Sequence, residues 1–287
     1  MRFNLYRDVK AFYRDTFGML MRHETQNMIP LGNIIIGNEG KDREGWRDPS
    51  GWFMATVAGD SGIELTAVMT PPFNLTLYAA DNKLNDAALD CLIGGITQEN
   101  ITIGGVTSAK PLAERFAELY AAAKGLKHRI DMSQRIYELA EVNRDVKYIG
   151  NLRLSKESDM AFLPYWLGGF VADCFNDPLA VVNADQARYH ISTNRLYILE
   201  DNGTPVSMAK VSREMVNACG ISLVYTPPYF RGKGYAVSCV SGVSQACFDR
   251  GFTFCVLYAD LANPTSNGLY KKIGYKPICD SLEIKFE

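Results

Sequence analysis

Residues 221–236, Ile-Ser-Leu-Val-Tyr-Thr-Pro-Pro-Tyr-Phe-Arg-Gly-Lys-Gly-Tyr-Ala, constrain this chain more tightly than any other stretch. Ile221, Leu223 and Tyr225 alternate with Ser222 and Val224 in a β-prone run, so the segment begins as a strand. Pro227 and Pro228 remove two backbone donors, and ladder pairing must stop there. Thr226 is held extended by the proline that follows it. A strand that parts from its neighbour at such a point leaves backbone groups facing a gap. An extended amide-bearing ligand pairs with such groups as a peptide adds to a sheet edge. Arg231-Gly232-Lys233-Gly234 come next. The glycines permit positive φ and close approach. A helix starting near Tyr235 points its unpaired N–H groups back at the turn, which suits a pyrophosphate. Arg231 and Lys233 add positive charge. Ala236, Val240, Val243 and Cys247 fall on one helical face, and Gly251 stands where a helix-ending glycine belongs.

A second block lies downstream. Residues 252–259, Phe-Thr-Phe-Cys-Val-Leu-Tyr-Ala, are strongly β-prone. Asn263 reads as an N-cap, Pro264 as the first helical residue and Gly274 as the stop, which predicts a short helix over 264–273. Asn263, Asn267, Tyr270 and Gly274 share one face of it by 3–4 spacing.

Together the two blocks resemble the GNAT acetyltransferases. The acyl-CoA signature of that family, Arg/Gln-x-x-Gly-x-Gly/Ala, is met by Arg231, Gly234 and Ala236. The run Asn-x-x-Ser-Asn-x-x-Tyr-x-x-x-Gly-Tyr from Asn263 to Tyr275 resembles its second motif. The resemblance implies an N-acetyltransferase with acetyl-CoA as co-substrate. It assigns cofactor contacts to Val224, Tyr225, Thr226, Arg231, Gly232, Lys233, Gly234, Tyr235 and Ala236, and to Asn263, Ser266 and Asn267. It places Tyr270 beside the thioester sulfur as general acid. The chemistry is consistent with that set. A neutral amine attacks the thioester carbonyl, and backbone N–H near Thr226 or Val224 stabilises the oxyanion. The departing thiolate takes a proton from a tyrosine whose ordinary pKa is about 10. Glu214, Asp260 and Glu283 are carboxylates on or near the expected sheet, and nothing ranks them, or a water chain, as the base.

Two other readings compete. One is transfer of a longer acyl group, as in glycine-N-acyltransferase relatives, because chain length depends on residues at the thioester end that the sequence does not place. The other is a non-catalytic acyl-CoA-binding module. Tyr270 and Asn267 stand against it, since a sensor needs a phosphate cradle but no acid.

At 287 residues the chain has room for an N-terminal α/β domain over 1–145 and a GNAT domain over 146–287, with the whole acyl-CoA site expected in the latter. Hydrophobic residues make up 47%, enough for a globular core. The formal charge of −2 is interspersed, with no basic stripe, so nucleic acid is not expected as a partner. No run of eighteen apolar residues is present, so no membrane span is expected. The first ten residues carry charge where a signal peptide needs an apolar run, which points to the cytoplasm. The expected partner is a small-molecule amine, and the expected state a monomer or homodimer. Seven cysteines without a Cys-x-x-Cys read as small buried hydrophobes. The three histidines, His23, His128 and His190, are scattered, and no metal is expected.

The expected fold class is α/β (α+β): a mixed, mostly antiparallel sheet flanked by helices. In the second half, strands are predicted at 150–155, 196–199, 206–211, 217–225, 252–259, 275–279 and 281–286. Helices are predicted at 159–175, with Pro164 delaying the start, at 178–190, after Tyr235 and at 264–273. Asn202-Gly203 marks a hairpin. The resulting order, β-α-α-β-β-β-α-β-α-β-β, resembles one GNAT domain. In the first half, helices are predicted at 11–28, 86–94 and 111–124, and strands at 51–58, 63–69 and 130–139. Ala67-Val-Met-Thr-Pro-Pro-Phe-Asn-Leu75 echoes Leu223-Val-Tyr-Thr-Pro-Pro-Tyr-Phe-Arg231 without the arginine or the glycines. This raises a degenerate GNAT-like first half, expected not to hold coenzyme A and to shape the acceptor pocket or a dimer surface instead.

Overall fold

The computed structural model describes residues 1–40, 48–175, 177 and 179–287. Asp8 caps the first helix through its carboxylate, and Asn85 caps the third through its side-chain amide oxygen. The first half runs β1 (Arg2–Tyr6), α1 (Val9–Met21), α2 (Met28–Glu39), β2 (Phe53–Gly59), β3 (Gly62–Met69), β4 (Leu75–Ala79), α3 (Asp86–Gln98), β5 (Gly105–Ala109), α4 (Lys110–Lys124) and β6 (His128–Leu139). The second half repeats that order with β7 (Asn151–Leu154), α5 (Leu163–Phe175), α6 (Ala184–Ser192), β8 (Leu196–Asp201), β9 (Thr204–Glu214), β10 (Ala218–Tyr225), α7 (Tyr235–Asp249), β11 (Phe254–Asp260), α8 (Pro264–Ile273) and β12 (Lys276–Phe286). Each half reads β-α-α-β-β-β-α-β-α-β.

Several expectations are corrected. The single helix over 11–28 is two helices, separated by turns at 22–27. The strands β1, β4 and β5 were not predicted. The two strands expected at 275–279 and 281–286 are one, β12, because Asp280 continues the extended backbone. The helix expected from Pro178 begins at Ala184, and Pro178 itself lies outside the described residues. The Thr-Pro-Pro echo is not a repeat in register. Thr70-Pro71-Pro72 falls between the third and fourth strands of its half, whereas Thr226-Pro227-Pro228 follows the fourth. The segment that corresponds to the glycine turn is Ala80 to Asn85, which also lacks arginine and glycine.

The chain forms two compact units that are not contiguous in sequence. The first comprises Met1–Ile136, Ala259–Ala262 and Pro277–Glu287, and the second Tyr137–Tyr258 and Asn263–Lys276. In the first, β1 to β4 pair antiparallel in order, β4 pairs β5 parallel, and β12 pairs β5 antiparallel from Ser281↔Ala109 to Lys285↔Gly105. The last strand of the chain thus completes the sheet of the first unit. Leu75, Leu89, Leu92, Val106 and Phe116 are fully buried in its core. In the second unit, β7 to β10 pair antiparallel in order and β10 pairs β11 parallel. Asn202 and Gly203, both at positive φ, close the β8–β9 hairpin as the sequence predicts. On one face of that sheet Leu163, Trp166 and Leu167 of α5 and Ala187 of α6 pack on Leu196, Ile198 and Met208. The other face is covered by α7, whose inward side carries Val237, Ser238, Val240, Val243, Ser244 and Cys247.

Candidate active site

The site begins at β10. Its parallel pairing with β11 runs over Ala218–Gly220 against Phe254–Val256, although β10 continues to Tyr225 and β11 to Asp260. On the other edge, Ser222 pairs with Lys210 and Tyr225 with Met208, so β10 carries one extra residue. Leu223 takes φ +50°, the left-handed conformation of a bulged residue. The strands therefore part at a bulge several residues before Pro227, earlier than the prolines alone predict. The prolines then prevent the ladder from resuming. Ser207 Oγ donates to the Tyr225 carbonyl at 3.1 Å and lies 2.9 Å from Thr226 Oγ1, fixing the end of the strand. Gly169 of α5 makes room for the Tyr225 ring, since a Cβ there would sit 2.3 Å from the tyrosine oxygen.

The glycine turn follows as expected. Gly232 and Gly234 have φ of +76° and +88°. A Cβ on Gly232 would meet nothing within 4 Å, and one on Gly234 only Ile149 Cδ1 at 3.7 Å. The glycines are needed here for backbone conformation and not for internal packing. Gly234 is the N-cap of α7, and no side chain caps the helix. The N–H groups of Tyr235, Ala236 and the next residue therefore lack intrahelical acceptors and point out of the helix end. That arrangement fits a diphosphate, which those donors and the helix dipole would hold. Arg231 donates through Nε to the Thr226 carbonyl at 2.8 Å and pairs with Asp173 at 2.5 Å. Both charged groups are about half exposed, so a diphosphate can compete for the guanidinium at little cost. Lys233 is exposed above the Phe230 ring. Tyr235 donates to Asp201 at 2.5 Å, which ties the turn to the β8–β9 hairpin.

Helix α8 supplies the rest. Asn263 Oδ1 accepts from the Ser266 N–H at 3.0 Å, the N-cap bond that the sequence predicts. Asn267 Nδ2 donates to the Asn263 carbonyl at 2.8 Å, and Asn267 Oδ1 accepts from the Tyr137 hydroxyl at 2.8 Å. Tyr270 is buried one turn further on, its ring 6.2 Å from that of Tyr137 and 5.8 Å from that of Tyr275. Burial, with a smaller contribution from nearby Cys174, raises the Tyr270 pKa above the ordinary tyrosine value. The hydroxyl stays protonated through the neutral range.

The candidate bases separate. Glu214 is engaged by both Arg195 and Arg250. Asp260 and Glu283 belong to the first unit, where burial raises the Glu283 pKa above the ordinary carboxylate range. Three cysteines that sequence spacing did not connect, Cys219, Cys247 and Cys255, bring their sulfurs within 4.8 Å of one another. All three are fully buried, Cys247 on the inward side of α7 and Cys219 and Cys255 on β10 and β11. Among the described residues they are the one group with metal-ligating atoms so disposed. Tyr137 was not singled out by sequence. It sits on a strand outside both motifs, and its only signal is an aromatic residue in a β-prone run.

A bulged strand that parts from its parallel neighbour, followed by an uncapped helix at a two-glycine turn, defines a GNAT-type acyltransferase fold. Residues 163–275 match the family model described as Acetyltransferase (GNAT) family, so the second half of the chain carries a GNAT-superfamily domain. Among solved structures, a Drosophila protein is similar over 99% of this chain and 98% of its own, with a TM-score of 0.64 at 12% identity. A GCN5-related N-acetyltransferase from Sphaerobacter thermophilus is similar over 99% of this chain and 95% of its own, with a TM-score of 0.58 at 14% identity. A GNAT-family acetyltransferase from Colwellia psychrerythraea is similar over 100% and 99%, with a TM-score of 0.56 at 10% identity. These likenesses extend the GNAT fold over both halves. A comparison with curated proteins found no match. No helix among the described residues is long and apolar enough to cross a membrane.

Proposed function

We propose that the protein is an N-acetyltransferase that moves the acetyl group of acetyl-CoA to the primary amine of a small molecule in the cytoplasm. The observation that carries this reading is the three-residue pairing of β10 with β11, which ends beside the uncapped start of α7. Val224, Tyr225 and Thr226 offer backbone groups to the amide-bearing arm of the co-substrate. Arg231, Gly232, Lys233, Gly234, Tyr235 and Ala236 surround its diphosphate. Asn263, Ser266 and Asn267 line the start of α8 on the reacting side. The co-substrate supplies an activated acyl group and a thiolate leaving group.

Tyr270 acts on the leaving sulfur. An ordinary thiol has a pKa of about 8.5 and an ordinary tyrosine about 10. Burial widens that gap by raising the Tyr270 value. Complete proton transfer from Tyr270 to the thiolate is therefore uphill. Tyr270 instead presents its hydroxyl hydrogen to the developing negative charge, and the proton released by the attacking amine makes up the balance. No metal takes part in this scheme, and neither a nucleic acid nor a membrane is required as partner.

The test is thiol release from acetyl-CoA and from longer acyl-CoAs across a panel of amines, set beside direct binding of acetyl-CoA. Amine-dependent release supports the enzyme. Binding with no release for any amine or acyl chain length favours the non-catalytic module, and release only with longer acyl groups favours the glycine-N-acyltransferase-like alternative.

A further inference from the structure

We infer that Tyr137, which precedes both motifs in the chain, is a positioning residue of the acyl-CoA site and acts through Asn267. The inference rests on the acyl-CoA reading above. Tyr137 lies near the end of β6 at the first residue of the second unit, and it is fully buried. A buried tyrosine hydroxyl needs a hydrogen-bond partner. Here the partner is a side chain that the family signature places at the co-substrate. The Tyr137 hydroxyl donates to Asn267 Oδ1 at 2.8 Å, Asn267 Nδ2 donates to the Asn263 carbonyl at 2.8 Å, and Asn263 Oδ1 caps α8 through the Ser266 N–H at 3.0 Å.

The two edges of an asparagine amide are chemically distinct, one accepting and one donating. A donor on Oδ1 and an acceptor on Nδ2 together select one of the two orientations related by a 180° flip. Without the tyrosine hydroxyl, the Oδ1 end loses the donor that opposes the flip. The direction in which Asn267 offers its N–H at the helix start is thus set by a residue outside the 163–275 family match. The Tyr137 ring also packs against the Tyr270 ring at 6.2 Å. Replacing tyrosine by phenylalanine keeps that packing and removes only the hydroxyl, so the effect on Asn267 separates from any effect on Tyr270.

The test is a double-mutant cycle on the full chain with Tyr137→Phe, Asn267→Ala and the pair. Acetyl-CoA affinity is read by calorimetry, turnover by thiol release and folding by thermal melting. Loss of one ordinary hydrogen bond predicts a rise of about 3- to 10-fold in the dissociation constant and KM for acetyl-CoA in Tyr137→Phe, with kcat within about twofold. The double variant is expected to match Asn267→Ala alone, since a residue acting through Asn267 adds nothing once Asn267 is gone. Additive losses, or a lowered melting point with unchanged KM, would overturn the inference and leave Tyr137 as core. If the wild-type chain binds no acetyl-CoA at all, the underlying acyl-CoA reading fails and this inference with it. Binding by wild type with additive variants fails only the role of Tyr137.

Discussion

Replacing Gly234 tests whether the turn before α7 acts through its backbone conformation. Gly234 has φ +88°, ψ 0° and caps α7 without help from a side chain. An L-residue held in a left-handed conformation costs roughly 1–2 kcal/mol, and a β-branched residue is a stronger outlier. The Cβ of a substituted residue would meet nothing closer than Ile149 Cδ1 at 3.7 Å, so crowding adds little and the cost is conformational. The variant turn will relax toward negative φ and turn the first N–H groups of the helix away from the diphosphate. Binding must then restore the strained turn. At 1.4 kcal/mol per tenfold, Gly234→Ala should weaken acetyl-CoA binding by about 5- to 30-fold. Taking about 3 kcal/mol for valine, Gly234→Val should weaken it by about 100-fold or more. Calorimetry with acetyl-CoA reads the affinity, and thermal melting checks that both variants fold. Gly268 serves as the control. It is exposed within α8 with open space around a Cβ and no positive φ, so Gly268→Ala should stabilise the fold by up to about 1 kcal/mol. A folded Gly234→Val protein that binds acetyl-CoA within threefold of wild type would refute the argument.

Other outcomes follow from the same geometry. Tyr270→Phe should lower kcat by about 10²- to 10³-fold, the scale for losing one hydrogen-bond donor to the charge of the transition state, and leave acetyl-CoA affinity nearly unchanged, as steady-state kinetics and calorimetry will report. Because burial raises the Tyr270 pKa, its acid form persists through the ordinary tyrosine range, and a pH–rate profile should show no loss of kcat from this group below about pH 10. Tyr270 and Tyr275 are both raised by burial, so the stability they contribute is fully present below the unfolded tyrosine value and is lost as pH rises through the folded values. Melting temperatures measured from pH 8 to 11 should therefore fall only at the alkaline end. A fragment starting at residue 146 lacks Tyr137, and its last strand has lost β5, the antiparallel partner of β12. Circular dichroism should find that fragment poorly folded, and it should not bind acetyl-CoA.

The parts of the site built from local chemistry were legible in the sequence. Pro227-Pro228, the two glycines of the turn, Asn263 as N-cap and Gly274 at φ +117° each follow from what a residue's own backbone permits. The bulge at Leu223 was not legible, because leucine carries no preference for positive φ and the extra residue is defined only by its pairing with β9. The destination of β12 was hidden for a related reason. Its alternation predicts a strand but not which strand it joins, and it pairs with β5 of the first unit. Strand β4 was obscured by the Thr-Pro-Pro echo, which drew its residues into a comparison with the glycine turn. Tyr137 shows the same limit at the level of a side chain. Nothing within ten residues of it hints at Asn267, 130 positions downstream.

The most direct measurement follows the acyl group itself. The full chain is incubated with acetyl-CoA labelled in the acetyl carbon and an amine that supports thiol release, and the products are weighed by mass spectrometry. The account predicts labelled N-acetyl amine in one-to-one ratio with free thiol, with both slowed equally in Tyr270→Phe. Thiol release without labelled amide, or undiminished transfer by Tyr270→Phe, would contradict it.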